Sequence, residues 1–531
     1  MLTLRHRLSC GPPPSAVQRD TISTMALPNT QLQSRLFSLP RELRDIIYYH
    51  YLFNEDGLVY NFETNKLPVE LSLAYTCRVA AFELRGLALR LNKIVFHTTC
   101  TNATQTHAYI FHRALIKLHA LKFDLLNIQA PRLMTEAIEK EVSLKYPQFS
   151  PILPKLGALG GRANTLGEPP STYRDFVHFT LNLLYDRKHN PKVGGKRSER
   201  QRRSLRKVNP EPWLTPNEGR PPRGQEGKFG HCARDKHRRE LVATYDRELQ
   251  QLVDITRTHN RVGSVKHSLS AATCAIRFLR SLRVETRENV RQVELVEDRE
   301  SISFPECHGR GFIPFCRAHP NLRVHRRVSL WANVFPVSST LRYTIAISTG
   351  RPLEDDRLDS SYVSRAVAKW MAEASILPSL GMPEGSFKLT FQCDSAPEET
   401  TQVFQILQRD AAWQTALDLS YARRLLPRPT WIQRRLRRGY IYKTFPELLE
   451  QVTNGDHSFI HCDFAPGTAC DPEEIIGERR DDSVDQWHAS WLTHTPKKCQ
   501  TPANMPPWHV LRAGFTIWHG QWGNWVAGVD P

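Results

Sequence analysis

The sequence has no apolar run near the roughly 18–20 residues that a membrane span requires, so we expect no membrane partner. Its first residues, MLTLRHRLSC, lack the continuous apolar core of a secretory signal. The 11 cysteines follow no regular framework, and their odd number argues against a disulfide-stapled secreted domain. These absences predict a cytoplasmic or nuclear protein with reduced thiols.

The sequence also lacks the motifs of common enzymes, since it has neither a glycine-rich phosphate loop nor a nucleophile elbow. The stretch HSFIHCDF, with Asp463, resembles the catalytic loop of small-molecule phosphotransferases. Such enzymes also need an upstream nucleotide-binding lobe with a paired strand lysine, which this sequence does not show. We therefore expect a protein that is not an enzyme and has no cofactor.

One histidine- and cysteine-containing segment, PECHGRGFIPFCRAH, has a partial zinc pattern. Cys316 and His319 have usable spacing, but adjacent Cys307 and His308 point in different directions and rarely ligate one ion together. We favour a loop with buried thiols and predict no metal site.

Most of the net charge of +18 lies in one segment rather than across the chain. Residues 187–240 contain 17 Lys or Arg and 6 Asp or Glu, a surplus of 11 positive charges. Few apolar residues and many turn formers predict a disordered basic linker there. Its first part is a candidate for nuclear localisation or for contacts with nucleic-acid phosphates, through Lys196, Arg197, Arg202, Arg203, Arg206 and Lys207.

A second basic cluster, residues 421–443, contains eight Lys or Arg and no acid. It is compatible with a phosphate-binding surface. We favour a solvated helix face whose arginines pair with acids elsewhere in the fold.

Periodicity predicts an α+β fold, with a small helical N-terminal module followed by a larger mixed helix–strand region. Alternating apolar residues predict strands at VRQVELV, LRYTIAIST and FKLTFQC, and helical spacing predicts helices at SLSAATCAIRFLRSL and SYVSRAVAKWMAEASIL. The predicted segments are a disordered leader (1–33), a helical module (34–100), a helical region (101–186), the basic linker (187–240), an α+β domain (241–455) and a Trp-rich segment packed on it (456–531). Six of the 11 tryptophans lie in that last segment, where we favour core packing over a partner-binding surface.

The stretch LPRELRDIIYYHYL near the N-terminus predicts a helix that starts at Pro40, where a missing N–H costs nothing. Leu43, Ile46, Ile47 and Tyr51 form one apolar face at helical spacing. A second helix is expected from about Leu71 to Leu91. By periodicity alone, the first helix indicates only a small helical domain.

The order of these elements resembles the F-box, and specifically the F-box-like N-terminal modules of fungal proteins. The resemblance covers residues 36–98, with a weaker similarity over residues 278–335. The resemblance depends on the Leu-Pro-x-Glu-Leu opening and on a later helix that is followed by the start of a strand. The motif residues of that helix and strand are Thr76, Cys77, Arg78, Glu83, Asn92 and Phe96. In such a protein the adaptor-binding residues would be Leu39, Pro40, Leu43, Ile46 and Ile47.

This resemblance implies a substrate-recognition adaptor of a cullin-type ubiquitin ligase, in which a Skp-type adaptor binds the opening helix. The C-terminal region would then hold a substrate protein, which the sequence does not identify. Three alternatives remain open at this point: a nuclear nucleic-acid-associated protein that uses the basic linker, a structural protein with no ligase role, and an enzyme whose site is not visible in the sequence.

Overall fold

The fold is of the α+β class, as the sequence predicts, and is built around a six-stranded, wholly parallel sheet. A computed structural model describes residues 34–157, 165–186, 209–214, 267–336, 358–493, 498–499 and 505. All structural statements here concern those residues.

The eight strands run in chain order as β1 (Leu58–Val59), β2 (Lys93–His97), β3 (Gln292–Glu297), β4 (Arg323–Ser329), β5 (Leu358–Asp359), β6 (Phe387–Gln392), β7 (Ile460–Cys462) and β8 (Lys498–Cys499). The main sheet has the order β1-β2-β3-β4-β6-β7, whereas β5 and β8 form a separate antiparallel pair. Parallel crossovers are almost always right-handed, so this sequential order places the connecting helices on one face of the sheet.

The α-helices are α1 (Arg41–Leu52), α2 (Arg78–Glu83), α3 (Leu87–Leu91), α4 (Asn102–Leu133), α5 (Glu136–Lys145), α6 (Pro170–Leu184), α7 (Ala271–Ser281), α8 (Val284–Arg287), α9 (Ile313–Ala318), α10 (Ser360–Ser375), α11 (Pro397–Ala422), α12 (Trp431–Leu436), α13 (Phe445–Asn454), α14 (Pro472–Glu478) and α15 (Val484–Thr493). Within the described ranges, no helix is both long and apolar enough to cross a membrane.

Several elements lie where the periodicity predicts them. The stretches VRQVELV and FKLTFQC contain β3 and β6, and the two amphipathic segments contain α7 and α10. The third predicted strand, at residues 341–349, lies outside the described residues.

Alternation along the strands creates two different faces. Val293 and Leu295 of β3 are buried, and they pair in register with buried Ile94 and Phe96 of β2. The intervening residue Glu294 is directed to the opposite face, because side chains alternate along a strand. One face therefore carries the apolar core, and the other carries charged residues such as Glu294 beside Val59, Val95 and Val296.

The prediction of one continuous helix from Leu71 to Leu91 is wrong. A 3-10 turn at Leu73–Tyr75 is followed by α2 and α3 as two short helices. Cys77 adopts an extended conformation and caps α2, since its Sγ accepts a hydrogen bond from the Ala80 backbone N–H at 3.4 Å. Gly86 then interrupts the path with a φ of 70°, which glycine adopts at little cost.

One charged pair lies inside the apolar core. Arg326 of β4 and Glu297 of β3 have side chains that are 1% and 0% exposed, and the closest nitrogen–oxygen distance between them is 2.6 Å. Glu297 also accepts hydrogen bonds from the backbone N–H groups of Ala271 and Ala272 at the start of α7. The Arg326 guanidinium stacks over the Trp370 ring of α10 at 4.6 Å. The pair thus joins two strands to two helices.

The predicted basic linker contacts the fold in the middle of its length. Within residues 209–214, Asn209 accepts a hydrogen bond from the buried Lys122 ammonium, and Glu211 pairs with Arg280 at 2.7 Å. Trp213 packs against the main core. The prediction of a disordered segment is therefore wrong for these six residues, because a tryptophan flanked by two polar contacts fixes them.

The first part of the Trp-rich segment packs on α11. Trp487 is buried with its ring 5.3 Å from that of Trp413, and the indole N–H of Trp491 donates to Asp410 at 2.9 Å. These two tryptophans pack in a core, the arrangement favoured from the sequence. The other four lie outside the described residues.

We predict that Arg326→Met lowers the free energy of unfolding by about 3–5 kcal/mol, because it leaves the buried Glu297 carboxylate without its partner. Arg327→Met is the matched control, since this neighbouring arginine is 39% exposed and its pair with Glu294 should contribute about 1 kcal/mol or less. Urea unfolding followed by tryptophan fluorescence measures both. Equal losses in the two variants would contradict a special role for the buried pair.

Candidate protein-docking site

Helix α1 packs on the module through one narrow side. Tyr48 and Leu52 are buried there and pack with Ala80, Leu84 and Ala88 of the segment containing α2 and α3. The spacing of Tyr48 and Leu52 is one helical turn, so both lie on the same side of α1. This small core is separate from the main core beneath the sheet.

A single carboxylate fixes α1 in this orientation. Glu83, at the end of α2, accepts hydrogen bonds from Arg44 at 3.1 and 2.6 Å and from the Tyr48 hydroxyl at 2.6 Å. Arg41 adds an ion pair at 2.8 Å. The Glu83 side chain is only 7% exposed, so these contacts satisfy a charge that would otherwise be costly to bury.

The electrostatics agree with this geometry. Burial opposes ionisation of Glu83, but hydrogen bonds from Arg44 and Tyr48 outweigh it and hold the pKa of the carboxyl below its ordinary value of 4.5. Burial and the neighbouring Glu83 raise the pKa of Tyr48 to about 12, so the phenol remains a hydrogen-bond donor. The two groups therefore occupy complementary protonation states over the neutral range.

A second buried side chain connects the ends of the module's helices. The Asn92 amide N–H groups donate to the carbonyls of Leu52 at 2.8 Å and Ala88 at 2.9 Å, and its oxygen accepts from the Asn54 backbone N–H at 2.7 Å. Asn92 thus satisfies backbone groups at the C-terminal ends of α1 and α3. Glu83 and Asn92 are two of the motif residues behind the F-box resemblance, and both have structural roles here.

The opposite side of α1 is apolar and exposed. Leu43, Ile46 and Ile47 are 46%, 54% and 40% exposed, although each side chain is large and apolar. They occupy the i, i+3 and i+4 positions of one stripe. We refer to these three residues as the outer face of α1. Apolar side chains that share one helix face and remain exposed mark an interaction surface more often than single scattered ones do.

The ends of the outer face are shaped by other residues. Before α1, Leu39 is half-buried and Pro40 is exposed. At the other end Tyr49 and Phe53 stack at 4.9 Å with both rings partly exposed. Leu39 and Pro40, the two adaptor-binding candidates that are not part of the outer face, therefore precede it. The Tyr49–Phe53 pair, which was not predicted from the sequence, follows it.

A cavity of about 350 Å³ lies beside this end of α1. Its lining includes Tyr51, Phe53, Leu58 and Val69, together with the carboxylate of Glu70. None of the three outer-face residues contributes to this lining.

The residues of the partial zinc pattern do not converge. Cys307 accepts a hydrogen bond from Arg174, and His308 bonds to Ser270 and to a backbone carbonyl. Cys316 lies in the main core. Across the ranges that the structure covers, no group of three His, Cys, Asp or Glu side chains is arranged to hold a metal ion.

Asp463, which lies in the stretch that resembles a phosphotransferase catalytic loop, follows β7 and accepts a hydrogen bond from a backbone N–H group. One of its carboxylate oxygens accepts from the Cys393 N–H at 2.9 Å, which connects the ends of β6 and β7. This contact orders the carboxyl edge of the sheet.

The arginines of residues 421–443 pair with acids, the arrangement favoured from the sequence. Arg423 binds Glu473, and both Arg434 and Arg437 bind Asp418. Arg435 is buried against Glu168 at 2.7 Å, so the cluster is only partly a solvated face. The linker candidates, from Lys196 to Lys207, lie outside the described residues.

Sequence analysis missed the residues that orient α1. Arg44 and Tyr48 interrupt the apolar pattern, so periodicity gave no reason to assign them to the buried side. Their partner Glu83 is 39 and 35 residues away along the chain. The signal that could have identified Arg44 and Tyr48 is Glu83 itself, which belongs to the F-box-like motif. A carboxylate in a short helix needs a cationic or hydroxyl partner when it is buried.

We predict that Glu83→Gln loosens α1, with a loss of about 2 kcal/mol, because hydrogen bonds to the charged carboxylate become neutral ones. The pKa of Glu83 is lowered in the fold, so its contribution is present above about pH 4.5 and is lost as the pH falls through the lower folded value. Hydrogen exchange of residues 41–52 should accelerate in the variant at neutral pH, and in the wild type only in acid.

The matched control is Glu63→Gln, which changes an exposed carboxyl in the same module. It should leave the exchange of α1 unchanged. Equal protection of α1 in Glu83→Gln and wild type would show that the carboxylate does not fix the helix.

No family model matches this chain, no curated protein matches it, and no solved structure matches it. The contacts and exposure of α1 are therefore the basis for the function proposed next.

Proposed function

We propose that this chain is an interaction protein that binds the Skp-type adaptor of a cullin-type ubiquitin ligase through the outer face of α1. The observation that carries the proposal is the exposure of Leu43, Ile46 and Ile47 on a helix that is already anchored through its other side. The role assigned to the chain is recognition, with no catalytic step.

The anchoring matters because a docking helix must keep its shape when it is not bound. Arg44, Tyr48 and Glu83 fix α1 before any partner arrives, so little conformational entropy is lost on binding. An amphipathic helix that presents anchors at i, i+3 and i+4 suits an apolar groove in a partner. Covering the exposed part of each anchor should contribute about 1 kcal/mol.

The F-box resemblance supports the identity of the partner. The candidate residues Leu43, Ile46 and Ile47 are exposed, as docking requires, and Pro40 beside them is exposed as well. Among the residues that the structure describes, packing, the alternative for these side chains, does not bury them.

The nucleic-acid alternative has less support from the contacts. Four arginines of residues 421–443 are already paired with carboxylates, which reduces their ability to bind phosphates. No described contact favours this second function.

We predict that Leu43→Asp and Ile47→Asp each weaken adaptor binding at least about a hundredfold, because a carboxylate would enter an apolar groove without a partner. Leu43→Ala should weaken it less, by about tenfold. Purified adaptor and full-length chain are mixed, and the affinity is measured by calorimetry.

The control is Leu144→Asp, which introduces the same charge at an 85% exposed leucine on α5. It should bind the adaptor like the wild type. If the wild-type chain does not bind the adaptor, or if Leu144→Asp weakens binding as much as Leu43→Asp does, the proposed function is wrong.

A further inference from the structure

The polar face of the sheet is a second surface with a distinct chemical character. It is opposite the core, and its basic residues lie on β2, β4, β6 and β7. We refer to it as the open face, and its basic and histidine residues are Lys93, His97, Arg323, His325, Arg327, Lys388 and His461. None of the functions considered so far uses this face.

Strand register brings these side chains together. His325 pairs directly with Lys388, while Arg327, Thr390 and His461 follow one another across three neighbouring strands. Adjacent strands are about 4.8 Å apart, so the side chains of one row are close neighbours. The His325 ring also contacts the Thr390 hydroxyl at 2.8 Å. The cluster is compact and rests on strands rather than on loops.

The charges of this face do not balance. Glu294 is its one carboxylate within the described part of the sheet, and both of its oxygens are occupied, by Lys93 at 3.1 Å and Arg327 at 2.6 Å. Lys388 is exposed and has no ion pair with any residue that the structure describes. Arg323 is also exposed, and its hydrogen bonds go to backbone carbonyls. Two cations therefore remain available to an acidic partner.

The uncharged residues of the face indicate which kind of acidic partner fits. No Phe, Tyr or Trp occurs among the described residues of the open face, so nucleic-acid bases would find only imidazole rings to stack on there. The Thr390 hydroxyl is buried and bonded to His325, so the exposed side chains Lys388 and Arg323 are the contacts left for a partner.

We propose that the open face binds an acidic segment of a partner protein, with Lys388 and Arg323 pairing with its carboxylates. The inference rests on the proposed function in one respect: it identifies the protein that carries the acidic segment as the substrate of the ligase. Binding to the open face itself does not require the adaptor, since α1 is anchored to its own small core through Glu83.

The test uses the full-length chain and a fluorescein-labelled peptide of alternating glutamate and serine, with fluorescence anisotropy as the readout. Lys388→Glu should weaken binding at least about tenfold, because it replaces an attractive charge with a repulsive one. Arg323→Glu should act in the same direction. The affinity should also fall as salt is raised, since these side chains are exposed.

The matched control is Lys140→Glu, which makes the same charge change on the exposed surface of α5. It should alter binding by less than about twofold, because Lys140 lies on α5 and not on the strands that form the open face. An equal loss in Lys140→Glu and Lys388→Glu would mean that only the net charge of the chain attracts the peptide, and would overturn the proposal.

Three further results would also overturn it. One is equal binding of a peptide in which glutamine replaces glutamate. Another is tighter binding of a single-stranded oligonucleotide that Lys388→Glu abolishes, which would indicate nucleic acid. The third is a concentration-dependent self-association that Lys388→Glu abolishes, which would identify a second copy as the occupant. Lys388→Gln removes the charge without adding a repulsive one. Circular dichroism of this variant shows whether any loss of peptide binding comes from a loss of folding.

Leu43→Asp distinguishes the two proposals. It should leave peptide binding unchanged, because the outer face of α1 and the open face are separate surfaces. If the chain binds the adaptor but not the peptide, only the open-face inference is refuted. If it binds the peptide but not the adaptor, only the adaptor proposal is refuted.

Discussion

The carboxylate of Glu83 determines which side of α1 remains available to a partner. Arg41, Arg44 and Tyr48 all reach it from one side of the helix, and it is buried deeply enough that these contacts must be kept. The apolar side chains Leu43, Ile46 and Ile47 are consequently directed outward. In most small helical modules the apolar side of a helix packs inward. Here a buried ionic contact adds to the inward packing of Tyr48 and Leu52, and the apolar stripe on the other side stays exposed.

A similar arrangement organises the sheet on a larger scale. The buried Glu297–Arg326 pair joins β3 and β4 to the start of α7 and to Trp370 of α10. Because the helices cover that face, the opposite face keeps its polar residues. The N-terminal module is attached to the same sheet through β2, which follows α3 after a single residue, Asn92. A partner on α1 and a partner on the open face would thus be held by one continuous framework.

The sequence predicted the elements better than their contacts. Strands β3 and β6 follow from strict alternation, and α7 and α10 follow from helical spacing, because local patterns encode local structure. The break at Gly86 was missed although a glycine inside a helical pattern is a local signal for one. The fixed contact of Trp213 was missed because it depends on residues distant in the chain. For the candidate site, the apolar stripe was predictable, whereas its outward direction was not. That direction depends on Glu83, which lies 39 residues beyond Arg44.

The most direct test of the central claim is hydrogen exchange of the full-length chain with and without purified Skp-type adaptor, analysed along the sequence. The account predicts that added adaptor slows exchange at residues 41–53, whereas α5 and the sheet strands exchange as before. Protection that appears elsewhere but not at α1, or no protection at saturating adaptor, would contradict the account and leave the exposed face of α1 without its proposed partner.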